Sequence, residues 1–206
     1  MSGKTQSVIV GLGNPGKEYE LTRHNAGRIF LYWFAEEKQK EKAKISEWEF
    51  DKKINSLKSR LVKNGGKMSL LLVPETYMNK SGEALKKIIT SKIKARSLAL
   101  VHDDLDLPLG KFKISYNRGS AGHKGVESII KAVKTNEFAR VRIGISPVSP
   151  KGKIKKPKTE KLSDFITGKF KKEELIVLKR IYKHVSAALD LITEGKLEQA
   201  MNKFNS

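Results

Sequence analysis

The chain has 206 residues, of which 38% are hydrophobic and 31% are charged; this composition excludes a disordered chain and predicts one globular domain of ordinary size. It contains no cysteine, which excludes disulfides, thiolate metal sites and a cysteine nucleophile. Lys and Arg number 42 against 22 Asp and Glu, giving a formal net charge of +20. This charge favours a nucleic-acid partner, the alternative being a lysine-rich composition without a functional cause.

The apolar runs are too short to span a bilayer, and the first residues are polar. No segment combines a basic amphipathic face with bulky interfacial aromatics. We therefore expect neither a cleavable signal nor a membrane partner.

The predicted elements begin with a buried strand, because the β-branched triplet Val8-Ile9-Val10 ends at Gly11. A glycine-rich loop follows, and then a helix with apolar residues at helical spacing over 29–34 and a charged tail to Lys44. The next predicted elements are an exposed strand or hairpin within 48–62, a buried strand at 69–73, a short helix at 84–93, a strand at 98–101, an antiparallel strand at 111–116, a helix at 126–133 and a strand at 141–145.

The last quarter of the chain begins with residues 147–161, which are rich in Pro, Gly and Lys and include six lysines. This composition predicts a basic, mobile loop. A long amphipathic helix follows over 175–192 and is ended by Gly195, and a short helix carries Leu197, Met201 and Phe204. Strands that alternate with helices predict a single α/β domain over 1–206, with a central mixed, mostly parallel sheet flanked by helices.

The loop after the first strand, GLGNPG at 11–16, matches the dinucleotide-binding fingerprint and nearly matches a phosphate-binding loop. Pro15 removes an N–H group that would hold pyrophosphate, and Glu18 stands where a magnesium-binding hydroxyl is required. Neither interpretation is therefore favoured. The loop presents Asn14, whose amide can donate and accept at once, either to a ligand or only to neighbouring backbone groups.

A histidine lies near that loop, in the sequence Arg23-His24-Asn25, at the start of the first helix. The strand at 98–101 is followed by HDDLD at 102–106, whose three carboxylates are poor core material. Because ligands bind at the carboxyl ends of strands in open α/β sheets, an Asp there is expected to hold the His24 ring while its other nitrogen takes a proton from water. The alternatives are a divalent-metal site of nuclease type and a solvated strand end.

Two further loops carry candidate binding groups. In PETYMNKSG at 74–82, Asn79 is either a helix cap or a substrate-binding amide, and Tyr77 either covers a ligand or packs on the core. In GSAGHKG at 119–125, a glycine-rich turn starts a helix and offers N–H groups to phosphate, or is an ordinary turn. The chain has no G-x-S-x-G elbow, so a histidine–aspartate hydrolytic site without a cofactor fits best.

Six motifs in order closely resemble the bacterial-type peptidyl-tRNA hydrolase family over residues 8–146: GLGNPG, Tyr19 with TRHNAG, PETYMNKSG, HDDLDLPLG, GSAGHKG and RVRIGI. The resemblance implies a cytoplasmic, monomeric enzyme that hydrolyses the ester bond of peptidyl-tRNA to free peptide and tRNA, without metal or organic cofactor. Some relatives of this fold are RNA-binding splicing cofactors that do not need hydrolase activity, and this remains the alternative function.

The resemblance also implies a role for individual residues. His24 is the general base, Asp103 keeps it in its basic form, and Asn14 engages the peptide portion. The other residues that it places in substrate or tRNA binding are Tyr19, Tyr77, Met78, Asn79, Lys113 and Arg142.

Lys124 departs from the family pattern, which usually has Asn after the histidine of GSAGHKG. A lysine can contact phosphate or stabilise an oxyanion, but it cannot accept a hydrogen bond. We include Lys124 among the predicted substrate-binding residues.

Overall fold

The computed structural model describes residues 6–63 and 66–205. The predicted domain range 1–206 thus includes residues 1–5, 64–65 and 206, which lie outside the described residues, as does most of the polar amino terminus. The strands are β1 Ser7–Gly11, β2 Lys44–Ile45, β3 Glu49–Asp51, β4 Ser56–Val62, β5 Met68–Pro74, β6 Leu98–Pro108, β7 Phe112–Tyr116 and β8 Ala139–Ser146. The α-helices are α1 Ala26–Lys40, α2 Lys92–Ala95, α3 Lys124–Val133, α4 Leu162–Thr167, α5 Lys172–Thr193 and α6 Leu197–Phe204.

All eight strands belong to one sheet, in the order β2-β4-β5-β1-β6-β8-β7, and β3 also pairs with β4. The central strands β5, β1, β6 and β8 are parallel, whereas β4 and β7 pair with them in the antiparallel sense. β2 and β3 are antiparallel to β4. The predicted α/β fold with a mixed, mostly parallel sheet is therefore confirmed.

Both faces of the sheet are covered, which explains why the central strands are apolar on both sides. On one face, Ile9 and Val101 pack with Phe30 of α1 and Leu178 of α5. On the other face, the alternate residues of the same strands pack against α3 and against the 3-10 helix Met78–Ala84; they are Val8, Val10, Leu98 and Leu100.

Gly27 brings α1 close to the carboxyl half of the sheet. A Cβ atom at this position would lie 2.1 Å from the carbonyl oxygen of Val101, so only glycine permits this approach. His24, two residues before the start of α1, is thereby held beside the carboxyl half of β6. None of the described helices has the length and apolarity needed to cross a membrane.

Two sequence predictions need correction. The predicted helix at 84–93 is wrong: after the 3-10 helix the chain forms turns, and Ser91 begins α2 by accepting a hydrogen bond from the Lys94 N–H group. The run Ile88-Ile89-Thr90 is β-branched, which disfavours helix there. The predicted strand at 98–101 extends to Pro108 because β8 pairs with it as far as Asp104 and again at Pro108, so the carboxylates lie within the strand.

The other predicted elements agree with the structure within a few residues. The hairpin of β3 and β4 occupies the predicted range 48–62, and β7 pairs antiparallel to β8 as expected. Gly195 follows the end of α5 with φ +82, the left-handed conformation expected of a residue that ends a helix. The range 147–161 is mostly irregular but contains an isolated bridge between Val148 and Ile154.

Candidate active site

His24 and Asp103 form the centre of the site. His24 lies in the 3-10 helix Arg23–Asn25 that leads into α1, and Asp103 lies in β6. The His24 Nδ1 atom is 3.0 Å from Oδ1 and 3.1 Å from Oδ2 of Asp103, and both side chains are buried. A nitrogen that faces a carboxylate carries the hydrogen and donates it, so Nε2 remains as the acceptor that a general base requires.

The protonation of this pair follows from burial and charge. Burial of the ring lowers the pKa of His24, but the Asp103 charge and hydrogen bond outweigh it, and the pKa lies above the ordinary value of 6.5. Lys124 acts in the opposite direction, because its positive charge lowers the pKa of His24. Burial raises the pKa of the Asp103 carboxyl, but His24 and His123 reverse this effect, and the pKa lies well below its usual range. Asp103 is therefore a permanent carboxylate.

His123, which sequence reasoning did not assign to the site, is the second partner of Asp103. Its Nε2 atom is 3.0 Å from Asp103 Oδ1. Its Nδ1 atom accepts hydrogen bonds from the N–H groups of Gly125 and Val126, at 3.2 and 3.3 Å, so the ring hydrogen is on Nε2 and is donated to Asp103. His123 therefore caps α3. It occupies N–H groups at the helix start that were expected to be open to a phosphate.

His102 is a third histidine in the cluster, and its ring centroid lies 4.6 Å from that of His123. Its Nδ1–H group donates to the carbonyl oxygen of Asp103 at 2.7 Å. Burial and the neighbouring His123 hold the pKa of His102 well below 6.5, so its ring is neutral. A signal for this cluster was present in the sequence, since three of the four histidines occur in the motifs that resemble the family.

The acidic run at 102–106 does not form the nuclease-type metal site that was the alternative. Asp104 accepts a hydrogen bond of 2.6 Å from Arg142, and Asp106 pairs with Lys156, so the three carboxylates have separate partners. Among the described residues, the group with suitably spaced metal-ligand atoms is instead His24, Asp103 and His123, within 4.8 Å of one another. Hydrogen bonds between these side chains already account for that spacing.

Asn14 is held in a fixed orientation by its neighbours. Its backbone N–H group donates to Asn25 Oδ1 at 2.8 Å, and Asn25 Nδ2 donates to the Asn14 carbonyl oxygen at 2.9 Å. The Asn14 side-chain oxygen accepts a hydrogen bond of 2.8 Å from the Met78 N–H group. The prediction that the Asn14 amide bonds to neighbouring backbone is thus correct for its oxygen. Its Nδ2 group makes no hydrogen bond to the described residues and can donate to a ligand.

A cavity of about 470 Å³ opens beside the His24–Asp103 pair. Its apolar wall comes from Leu105, Leu162 and Ile166, and its cationic groups are Lys124 and Lys156. Lys156 belongs to the basic segment 147–161, so this segment forms part of the cavity wall. The arrangement provides a base, a fixed carboxylate and a partly apolar chamber in which a water molecule and an ester can meet.

The remaining predicted residues lie around this cavity at different places. Met78 is buried against Gly125 at the start of α3, and Asn79 opens onto a neighbouring groove of about 520 Å³ that also includes Lys124. Lys113 of β7 faces Arg142 of β8 across the strand pair. Neither of the two predicted tyrosines lines the His24 cavity: Tyr77 is 60% exposed, and Tyr19 is half-buried in the 3-10 helix Lys17–Tyr19.

The comparison with known families decides the assignment that the motifs suggested. A family model described as Peptidyl-tRNA hydrolase matches residues 8–206. The chain belongs to the peptidyl-tRNA hydrolase family. The matched range extends to the last residue, well beyond the motifs at 8–146.

Individual peptidyl-tRNA hydrolases support the same assignment. The protein of Pseudothermotoga lettingae is 37% identical over 200 residues, which cover 97% of this chain and 96% of the relative. That of Mycoplasma mycoides is 38% identical over 200 residues, covering 96% of this chain and 99% of the relative. The crystal structure of peptidyl-tRNA hydrolase from Acinetobacter baumannii superimposes with a TM-score of 0.82 at 31% identity, covering 100% of this chain and 97% of that one.

Proposed function

We propose that this protein hydrolyses the ester bond of peptidyl-tRNA, releasing free peptide and tRNA, with His24 as the general base. The observation that carries the proposal is the His24–Asp103 pair, whose hydrogen bond leaves the Nε2 atom of His24 as an acceptor beside the cavity. A member of the peptidyl-tRNA hydrolase family with this pair intact has the groups that ester hydrolysis by activated water requires.

The reaction proceeds by transfer of one proton through His24. The Nε2 atom takes a proton from water as the water oxygen attacks the ester carbonyl, and the carbonyl oxygen becomes an oxyanion. The intermediate then expels the 3′-terminal oxygen of the tRNA, which receives the proton from the His24 imidazolium. Asp103 stabilises the imidazolium between these steps, because it remains charged beside Nδ1.

Asn14 is the residue we assign to the peptide portion, because its Nδ2 group is the donor that its neighbours leave unused. The Met78 N–H group holds the Asn14 side chain in this orientation by donating a hydrogen bond to its oxygen. Asn79 and Lys124 extend the binding surface into the adjoining groove. We assign Tyr19 and Tyr77 to the outer part of the substrate-binding surface.

Lys113 and Arg142 are assigned to a tRNA phosphate, because they face each other on one side of the β7–β8 pair. Arg142 is fixed by its ion pair with Asp104, and Lys113 is exposed. A tRNA substrate supports a cytoplasmic location. We expect a monomer, as the resemblance to the family implies, and the steps above require no cofactor.

The His24→Ala variant tests the proposal on an N-acetylated aminoacyl-tRNA. We expect turnover to fall by about 10²–10⁴-fold, the usual contribution of a positioned base, while deacylated tRNA still binds. An unchanged thermal midpoint controls for folding. Wild-type turnover in this variant would remove His24 from the mechanism, and tRNA binding by the wild type without ester cleavage would instead support the alternative of an RNA-binding splicing cofactor.

A further inference from the structure

A second concave surface, which we call the β7 pocket, lies at the edge of the sheet. It has a volume of about 770 Å³ and lies between the β6–β7 turn, α5 and α6. Its cationic side chains are all exposed, and none of them forms an ion pair with the described residues; they are Lys111, Lys113, Arg180 and Lys203. His184 completes the polar lining.

The lining of the β7 pocket contains no carboxylate among the described residues. Two other lysine-rich grooves on the described surface differ in this respect. The groove beside Asn79 includes Glu83 and Glu127, and a groove at the opposite edge of the sheet includes Glu41, Asp190 and Glu194. The high net charge of the chain alone therefore does not explain the composition of the β7 pocket.

The β7 pocket is built on fixed elements. Asn205, just after α6, accepts a hydrogen bond from the Ile114 N–H group at 2.7 Å and donates to the Ile114 carbonyl oxygen at 2.8 Å. This pairing attaches the end of α6 to the free edge of β7. In the β6–β7 turn, Gly110 packs against Val177 of α5, one turn before Arg180.

The cationic groups consequently converge on one concave surface. Arg180 and His184 are four residues apart in α5 and share a helix face. The aromatic rings of the pocket lie close together: the centroid of the Phe204 ring is 5.9 Å from that of Phe112 and 6.3 Å from that of His184. Exposed, unpaired cations on a concave surface with aromatic rings suit a polyanion with a regular phosphate backbone.

We propose that the β7 pocket binds the phosphodiester backbone of the tRNA body, away from the ester; this rests on the proposed function. The pocket and the site share β6: Asp103 contacts His24, while Leu107 and Pro108 line the pocket. Four residues of strand span about 13 Å, so one RNA molecule can reach both. Lys113 lines the β7 pocket and is paired in register with Arg142 of β8, so the pocket adjoins the residues assigned to a tRNA phosphate.

The test is the double variant Arg180→Gln/Lys203→Gln, with binding of deacylated tRNA measured over a range of salt concentrations. Each lost phosphate contact reduces the slope of log affinity against log salt by about 1, so we expect a reduction of about 2. The control is Lys44→Gln/Lys67→Gln, which removes the same charge at the opposite edge of the sheet. We expect the control to leave the slope nearly unchanged.

A second readout separates this inference from the proposed function. With N-acetylated aminoacyl-tRNA, kcat/KM should fall in Arg180→Gln/Lys203→Gln, whereas with the same ester on a CCA trinucleotide it should equal that of the wild type. Equal slope changes in the two double variants, or an equal loss on both substrates, would overturn the inference. If the wild type cleaves neither substrate, the proposed function fails, and the salt slopes still decide whether the β7 pocket binds tRNA.

Discussion

At the scale of single residues, the site depends on opposing charges around one imidazole. Asp103 favours the protonated form of His24, whereas burial and Lys124 favour the neutral form. Only the neutral ring can accept a proton from water. Lys124, at a position where the resemblance implies Asn, therefore favours the neutral form of His24 that acts as the base, and its effect should be visible in the pH dependence of hydrolysis.

We predict that Lys124→Asn moves the acid limb of the pH profile to higher pH. Activity is lost as pH falls through the pKa of His24, because the ring becomes protonated. Lys124 lowers that pKa, so its removal raises the pKa and activity is lost sooner on acidification. The measurement is kcat/KM against pH, which reports the free enzyme, with the ester on a CCA trinucleotide as substrate.

Two controls accompany the Lys124→Asn profile. Lys124→Arg keeps the positive charge and should keep the position of the acid limb. Lys131→Asn removes a charge from the same helix at a residue that lines the neighbouring groove but not the His24 cavity, so it should also leave the limb in place. An acid limb that moves to lower pH in Lys124→Asn would contradict this electrostatic account.

The sequence predicted that an Asp of the run 102–106 holds His24, because strand ends and the glycine-rich loop were expected to meet at one edge of the sheet. The choice of Asp103 came from the resemblance to the family. The roles of His123 and Asn25 could not be predicted in the same way. His123 acts through both ring nitrogens, one toward the helix start and one toward Asp103. Asn25 fixes the Asn14 backbone. Such secondary contacts depend on side-chain geometry that no spacing in the sequence reveals.

At the scale of elements, the contact between α1 and the sheet positions the base. Gly27 lies two residues after Asn25, within the first turn of α1, where a Cβ atom would meet the Val101 carbonyl oxygen at 2.1 Å. Because backbone atoms leave no room, a larger residue must shift α1 away from β6. His24 lies on α1's side of this contact and Asp103 on the sheet side, so the shift would separate them.

We predict that Gly27→Ala lowers both stability and activity. Overpacking at such a contact costs about 1–3 kcal/mol, and kcat should fall because the His24–Asp103 distance increases. Urea denaturation and turnover on N-acetylated aminoacyl-tRNA are the measurements. Gly119→Ala is the matched control, since nothing lies within 4 Å of a Cβ atom there. A Gly27→Ala protein with the wild-type free energy of unfolding would show that α1 is not constrained in this way.

The helices and strands were predicted correctly where the local sequence pattern agrees with the contacts that the segment makes in the fold. The apolar triplet of β1 and the helical spacing of α5 are strong local signals, and both elements are present. The helix predicted at 84–93 was wrong because the β-branched run Ile88-Ile89-Thr90 disfavours helix, and the chain forms turns there instead. β6 is longer than predicted because β8 supplies partners for its acidic residues.

At the scale of the whole molecule, the net charge of +20 acts on association rather than on chemistry. Not every cation is free to bind RNA. Lys38 of α1 and Lys63, which directly follows β4, are neutralised in ion pairs with Asp190 of α5. Those at the β7 edge, and Lys124 at the His24 cavity, form no ion pair with the described residues and remain available to phosphate, whereas Lys156 pairs with Asp106. The total charge is known from the composition, but only the fold separates structural cations from those that can bind RNA.

We therefore predict that salt affects kcat/KM far more than kcat on full-length substrate. For a complex with two or more phosphate contacts, raising the salt from about 50 to 200 mM lowers the affinity for tRNA by on the order of tenfold. The value of kcat/KM should fall by at least that factor. At saturating substrate, kcat should change little, because the buried His24–Asp103 pair is poorly screened. Steady-state kinetics at several salt concentrations provide the measurement, with the CCA-trinucleotide ester as the control that carries few phosphates. A kcat that falls as steeply as kcat/KM would mean that salt acts on the chemical step and not on tRNA binding.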